Sequence, residues 1–143
     1  MEQVYKLLYC SRNLLGGSLA EQEGEVQKIL ASSRRNNVRE GVTGALLFNG
    51  EWFAQVLEGP LAKVEATFER IQRDPRHADV TVLESGVASC RVFADWSMAY
   101  AGADETQRSR MKALSFDGVL ENPSAAVLEV HEVLESLVSQ EVF

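Results

Sequence analysis

The chain has 143 residues, 45% hydrophobic and 24% charged, the make-up of one soluble domain able to bury roughly 68–70% of its unfolded surface. That excludes a disordered or collagenous chain, and no apolar run approaches the roughly 20 residues needed to cross a bilayer. The net charge is −7, with 11 basic and 13 acidic side chains over residues 1–103 against 3 and 8 over 104–143, so the basic footprint that nucleic acids require is missing.

Glu2 and Lys6 break the N-terminal segment with charge, which is not the pattern of a signal peptide. Cys10 and Cys90 form no disulfide framework or metal motif and read as reduced thiols of a cytoplasmic protein. Residues 3–10 read as a strand with Tyr5, Leu7 and Tyr9 on one face. Ser18 and Glu21 form a capping-box pattern, and Leu19, Val26, Ile29 and Leu30 recur at helical spacing, predicting a helix to about Arg35. Asn36 and Asn37 then end that helix.

Segments 42–48 and 52–58 flank an Asn49-Gly50 turn, a strong hairpin signal. Leu61, Val64, Phe68 and Ile71 make one face of a second helix, opened by Pro60 and stopped by Pro75. Residues 79–89 and 91–100 read as two further strands. The order β-α-β-β-α-β-β predicts an α+β, ferredoxin-like sheet with both helices on one face. After Gly102 two C-terminal helices are expected. The first spans 105–114; the second opens at Asn122-Pro123, with Val127, Val130, Leu134 and Leu137 as an apolar stripe. That stripe is expected to dock on the free face of the sheet, which needs cover.

Several residues sit awkwardly in a plain core. Alternation groups Gln55 with Phe53 and Leu57, so either the face is half-buried and Gln55 reaches water, or a polar partner meets a buried amide. Tyr9 alone reads as a packed ring, Met98 and Trp96 as filler sharing a strand face, and His77 as a loop residue. There is no GxGxxG, GxxxxGK[ST] or HExxH. Two histidines far apart make no zinc site, and Ser11 and Cys10 are possible nucleophiles with no histidine nearby in sequence to activate either.

Taken together, LLYCSR (7–12), SSRRNN (32–37), GVTGALLF (41–48), FAQVLEG (53–59), RIQRDPRH (70–77) and RVFADWSM (91–98) resemble the BLUF family of blue-light sensors that use flavin adenine dinucleotide. The match covers about Tyr5 to Met98. The resemblance implies a photoreceptor and not an enzyme, with a flavin held between the two helices. It implies Tyr9 as electron donor and Gln55 as the hydrogen-bond switch between Tyr9 and the flavin. Asn37, assisted by Asn36 and Arg70, would meet the polar flavin edge, and Ile29 and Ile71 would sandwich the ring. Asp74 and His77 would line the ribityl and phosphate end, and Met98 and Trp96 would report the state of Gln55. Light-driven electron and proton transfer from Tyr9 through Gln55 would leave a rearranged amide and a modest, reversible red shift. FMN or riboflavin would also suit such a pocket.

Two other readings compete. One is a small ferredoxin-like hydrolase using the Arg12–Gly17 loop as an anion cradle, which rests on fold analogy alone. The other is a flavin-binding module that signals by occupancy and not by light. On the sensor reading, residues 1–103 form the photosensory domain and 104–143 a helical extension. The extension is too short for a catalytic output domain, so the signal is expected to leave through a separate protein or a homo-oligomer.

Overall fold

The computed structural model describes residues 3–102 and 115–140. Strand β1 (Val4–Asn13) sends Tyr5, Leu7 and Tyr9 to one side and Leu8 and Cys10 to the other. Both sides are apolar because both faces of the sheet are covered. β2 (Thr43–Phe48) and β3 (Trp52–Gly59) form the hairpin expected around Asn49-Gly50. Asn49 Oδ1 caps the turn by accepting from the backbone N–H groups of Glu51 (2.9 Å) and Trp52 (3.0 Å). With β4 (His77–Ala88) and β5 (Ala99–Ala101) the sheet runs β4-β1-β3-β2-β5, antiparallel except for the parallel β2/β5 pair. Its first four strands have the split β-α-β order of the ferredoxin-like layer.

Helix α1 (Leu19–Glu40) opens with the anticipated capping box: Ser18 Oγ accepts from Glu21 N, and Glu21 Oε1 accepts from Ser18 N. It runs five residues past the expected end at Arg35, because nothing between there and Gly41 breaks it. Gly41 stops the helix in the left-handed region at φ 72°, with its N–H on Asn37 O. Asn36 and Asn37 are therefore helical residues of the last turns and not its end. Helix α2 (Leu61–Gln72) lies on the same sheet face. Val26 and Leu30 of α1 and Val64 of α2 share one core with Leu7, Tyr9, Leu46, Phe53, Leu57 and Met98.

The opposite face carries Leu8, Cys10, Ala45, Leu47, Trp52, Ala54 and Val56, and the C-terminal helices cover it. Helix α3 (Phe116–Glu121), capped by Ser115, contributes Phe116 and Val119; helix α4 (Pro123–Gln140) contributes Ala126, Val130, Val133 and Leu134, with Val127 and Leu137 alongside. The apolar stripe thus docks where alternation left the sheet bare. Each fully buried Val or Leu on α4 contributes on the order of 1.5–3 kcal/mol. The helix expected at 105–114 lies outside the described residues, and α3 was not anticipated.

The strand expected at 91–100 is corrected. Only Ala99–Ala101 pairs, and residues 89–98 form no strand. The chain is turned by tertiary contacts: Glu58 takes the N–H groups of Val92 and Phe93, and Trp96 N bonds back to Phe93 O. Trp96 and Met98 consequently do not share a face. Trp96 packs into the α4-side core and Met98 into the α1/α2-side core.

Candidate functional site

Tyr9 on β1 and Gln55 on β3 are register partners, so strand pairing alone sets their side chains next to each other under α1 and α2. Both are buried, and the Tyr9 hydroxyl donates to Gln55 Oε1 at 2.5 Å. Gln55 Nε2 donates to Met98 Sδ at 3.4 Å. The three side chains form a one-way chain. A thioether only accepts, so the amide nitrogen must face Met98, the amide oxygen must face Tyr9, and the phenol must donate. Burial, then the negative charge of Asp74 and the Cys10 thiol, push the Tyr9 hydroxyl far above its ordinary range, which keeps its proton in place.

Tyr9 and Gln55, with Leu46 and Phe53, form the sheet wall of a cavity of about 200 Å³ between the two helices and the sheet, and Met98 lies behind Gln55. All nine side chains singled out for a bound flavin line the cavity: Tyr9, Ile29, Asn36, Asn37, Gln55, Arg70, Ile71, Asp74 and His77. Of the two residues assigned as reporters, Met98 touches Gln55, whereas Trp96 lies on the other side of the sheet. Asn37, a buried helical residue, donates Nδ2 to Ser97 O at 2.7 Å, and Arg34 Nε donates to Met98 O at 3.0 Å. Helix α1 therefore holds the backbone of the segment that presents Met98. Arg34 belongs to the SSRRNN segment, but nothing in its spacing shows that it reaches the Met98 carbonyl, 64 residues away.

The rest of the rim is arranged by local bonds. Arg70 Nη2 donates to Thr67 Oγ1 at 3.4 Å. Asp74 is engaged by the guanidinium and the backbone N–H of Arg76, which hold its carboxyl below the ordinary range. His77 Nε2 lies 2.6 Å from Ile71 O, a pure acceptor, and so donates to it; Nδ1 is hydrogen-bonded to the buried Ser11 hydroxyl at 2.7 Å. The ring of His77 stands edge-on to Tyr9 and to Phe53. The Ser11–His77 bond spans 66 residues, so no reading of local spacing exposes it.

Arg12, placed in a candidate anion cradle by one sequence reading, belongs to β1. Its guanidinium pairs with Asp79 and Asp117 and lies over the Phe116 ring at 4.7 Å. Among the described residues, no three His, Cys, Asp or Glu side chains converge as a metal site, and no helix is long and apolar enough to cross a membrane.

The cavity has apolar walls from one isoleucine on each helix, an amide-rich margin, and a carboxylate already paired with arginine. That donor set suits a planar, uncharged ring with a hydrogen-bonding edge, and defines a ring-holding module whose wall carries a Tyr–Gln pair backed by Met98. The chain belongs to the BLUF family, sensors of blue light using FAD, whose model matches residues 4–99. It is 36% identical over 74 residues to the blue light- and temperature-regulated antirepressor BluF of Escherichia coli (strain K12), over 52% of this chain and 18% of the relative. It is 35% identical over 78 residues to the photoactivated adenylate cyclase subunit beta of Euglena gracilis, over 54% of this chain and 9% of that protein. The chain therefore spans less than a fifth of the length of these curated relatives. The dark-state structure of BlrB, a BLUF protein, superposes with a TM-score of 0.75 at 31% identity, covering 95% of this chain and 98% of that one. The chain is thus a blue-light flavin sensor module.

Proposed function

We propose that this sensor binds FAD between α1 and α2 and reads light through the Tyr9–Gln55–Met98 chain. The observation that carries the reading is the pair of bonds on Gln55, 2.5 Å to the Tyr9 hydroxyl and 3.4 Å to Met98 Sδ, at the cavity wall. Ile29 and Ile71 would hold the ring on its two faces, with Asn37, Asn36 and Arg70 at its polar edge and Asp74, Arg76 and His77 toward the mouth. A cavity of about 200 Å³ is below the roughly 300–1,000 Å³ of pockets that enclose a whole ligand. It accommodates one ring system, and the remainder of a dinucleotide would extend through the mouth.

When bound, the flavin supplies blue-light absorption and, once excited, an acceptor for one electron. Tyr9 is suited to give that electron: its phenol is buried, un-ionised and already donating its proton along the bond to Gln55. A Gln55 amide that rotates by half a turn keeps its shape but exchanges its roles. Its nitrogen then faces Tyr9 and its oxygen faces Met98 Sδ, where two lone-pair-bearing atoms oppose each other. Met98 must yield. It immediately precedes β5, whose flanks are β2 and the α4-side core, so displacement there reaches the C-terminal helices.

The same reading assigns residues 1–103 to light sensing and 104–143 to output, through a separate protein or self-association, in the cytoplasm. The exposed, unpaired Cys90 thiol supports that location. The test is to load the purified protein with FAD and illuminate it. A reversible red shift is expected in the wild type, and none in Tyr9→Phe or Gln55→Leu. A normal shift in Tyr9→Phe would remove the assigned donor.

A further inference from the structure

Glu58 is fully buried, three residues beyond Gln55 on β3 and on the opposite face of the sheet. A buried carboxylate is costly unless its oxygens are met, and these are. Oε2 accepts from Val92 N at 2.7 Å, and Oε1 accepts from Phe93 N and from Thr43 Oγ1, both at 3.0 Å. Thr43 in turn accepts from Arg91 Nη1 at 3.1 Å. The carboxylate therefore grips two consecutive backbone amides at the start of the stretch that ends at Met98. Phe93, held at the same point, is itself fully buried. One strand thus holds both ends of residues 92–98, with Gln55 at Met98 and Glu58 at Val92–Phe93, roughly 10 Å apart along β3.

We infer that Glu58 is a positioning residue: it is the fixed anchor against which Met98 is displaced, and it sets how long the rearranged Gln55 persists. This rests on the switching reading proposed above. With residues 92–93 clamped and Ala99–Ala101 paired to β2, the segment has little slack. A displaced Met98 stays pressed toward Gln55, and that pressure favours return of the amide. Releasing the anchor lets the segment relax around the rearranged amide and prolongs the lit state. Glu58→Gln is the informative change, because a carboxamide presents one acceptor and one donor where two acceptors are needed, and one of the two amides loses its partner.

The experiment follows dark recovery of the red shift in FAD-loaded wild type, Glu58→Gln and Thr43→Val, together with amide hydrogen exchange in darkness and under illumination. Recovery in Glu58→Gln is expected to slow by about tenfold, equivalent to about 1.4 kcal/mol. Thr43→Val removes a donor to the same carboxylate but leaves both backbone bonds, and is expected to recover within about a factor of two of wild type. Recovery of a folded Glu58→Gln within that factor, or faster, overturns the anchor role, and so does equal slowing in Thr43→Val. If Glu58→Gln does not fold, exchange in the wild type decides. Val92 and Phe93 amides are expected to keep their protection under light while exchange at Ala99–Ala101 rises; light-induced loss of protection at Val92 and Phe93 overturns the inference. A wild type with no red shift fails the switching reading itself, whereas a normal wild type beside an unaltered Glu58→Gln fails only the anchor.

Discussion

Met98 fixes which way the Gln55 amide points, because its Sδ lies 3.4 Å from Gln55 Nε2 and a thioether sulfur only accepts. The orientation of a buried amide is usually decided by several partners. Here a single weak acceptor on one side and a phenol able to play either role on the other decide it. A relay of that kind is poised. Its two amide orientations differ by the exchange of one sulfur-facing hydrogen bond for one lone-pair contact.

Met98→Leu tests this balance. Leucine keeps the volume, so the core is expected to survive, but Gln55 Nε2 loses its acceptor and the variant should be about 1–2 kcal/mol less stable. The rearranged amide loses the opposing sulfur as well. Dark recovery of the red shift should therefore slow by about tenfold. Flash-induced absorbance and urea denaturation on the same sample measure both effects.

Asn37 and Asn36 look alike in sequence but are held differently. Asn37 is 2% exposed and bonds Ser97 O at 2.7 Å, whereas Asn36 Oδ1 accepts from Arg39 on the helix surface. Asn37→Ala leaves the Ser97 carbonyl unmet and should cost about 1–3 kcal/mol; Asn36→Ala should cost less than about 0.5 kcal/mol. Flavin titration by fluorescence should show at least a tenfold weaker Kd for Asn37→Ala.

Much of this arrangement was legible because it follows from periodicity. Alternation grouped Tyr9 with Leu7 and Gln55 with Phe53 and Leu57 but left open whether that face was covered; the register of β1 on β3, which sets Tyr9 beside Gln55, appears only in the fold. The Asn49-Gly50 turn and the Ser18–Glu21 box carried their own local chemistry. Residues 91–98 of the expected 91–100 strand form a turn; their apolar residues, Phe93, Trp96 and Met98, fit a strand as well as a turn. What bends it is Glu58, distant in sequence, which as the last polar residue of a strand gave no sign of being buried. The end of α1 was misplaced because two asparagines suggest a terminus, yet Gly41 provides the backbone conformation that ends the helix. Met98 and Trp96 went to opposite faces for the same reason that the strand was absent.

The covering of the sheet by α4 has a direct energetic signature. Leu134 is fully buried between α4 and the sheet, whereas Leu128, six residues earlier, is 73% exposed. Leu134→Ala should cost about 2–5 kcal/mol and Leu128→Ala less than about 0.5 kcal/mol. Urea midpoints of the full chain distinguish the two. Equal effects would mean that α4 is not seated on this face in solution.

Alkaline stability depends on the same phenol that drives the relay. In the unfolded chain Tyr9 releases its proton near its ordinary value of 10.0, whereas burial and the nearby Asp74 and Cys10 hold the proton well above that in the folded protein. Above pH 10 the folded state therefore binds more protons than the unfolded state, and stability falls as pH rises, by up to about 1.4 kcal/mol per unit. Cys10 acts in the same direction over a lower window, from its ordinary 9.0 to about 11, where burial has pushed its thiol. Wild type should lose stability from pH 9, more steeply above 10. In Tyr9→Phe only the Cys10 contribution remains, so the two curves should run parallel to pH 10 and then converge or cross as the wild type falls faster. Urea denaturation at half-unit intervals between pH 8 and 11 measures the divergence, and curves that stay parallel to pH 11 would show that Tyr9 ionises in the folded protein as readily as in the unfolded chain.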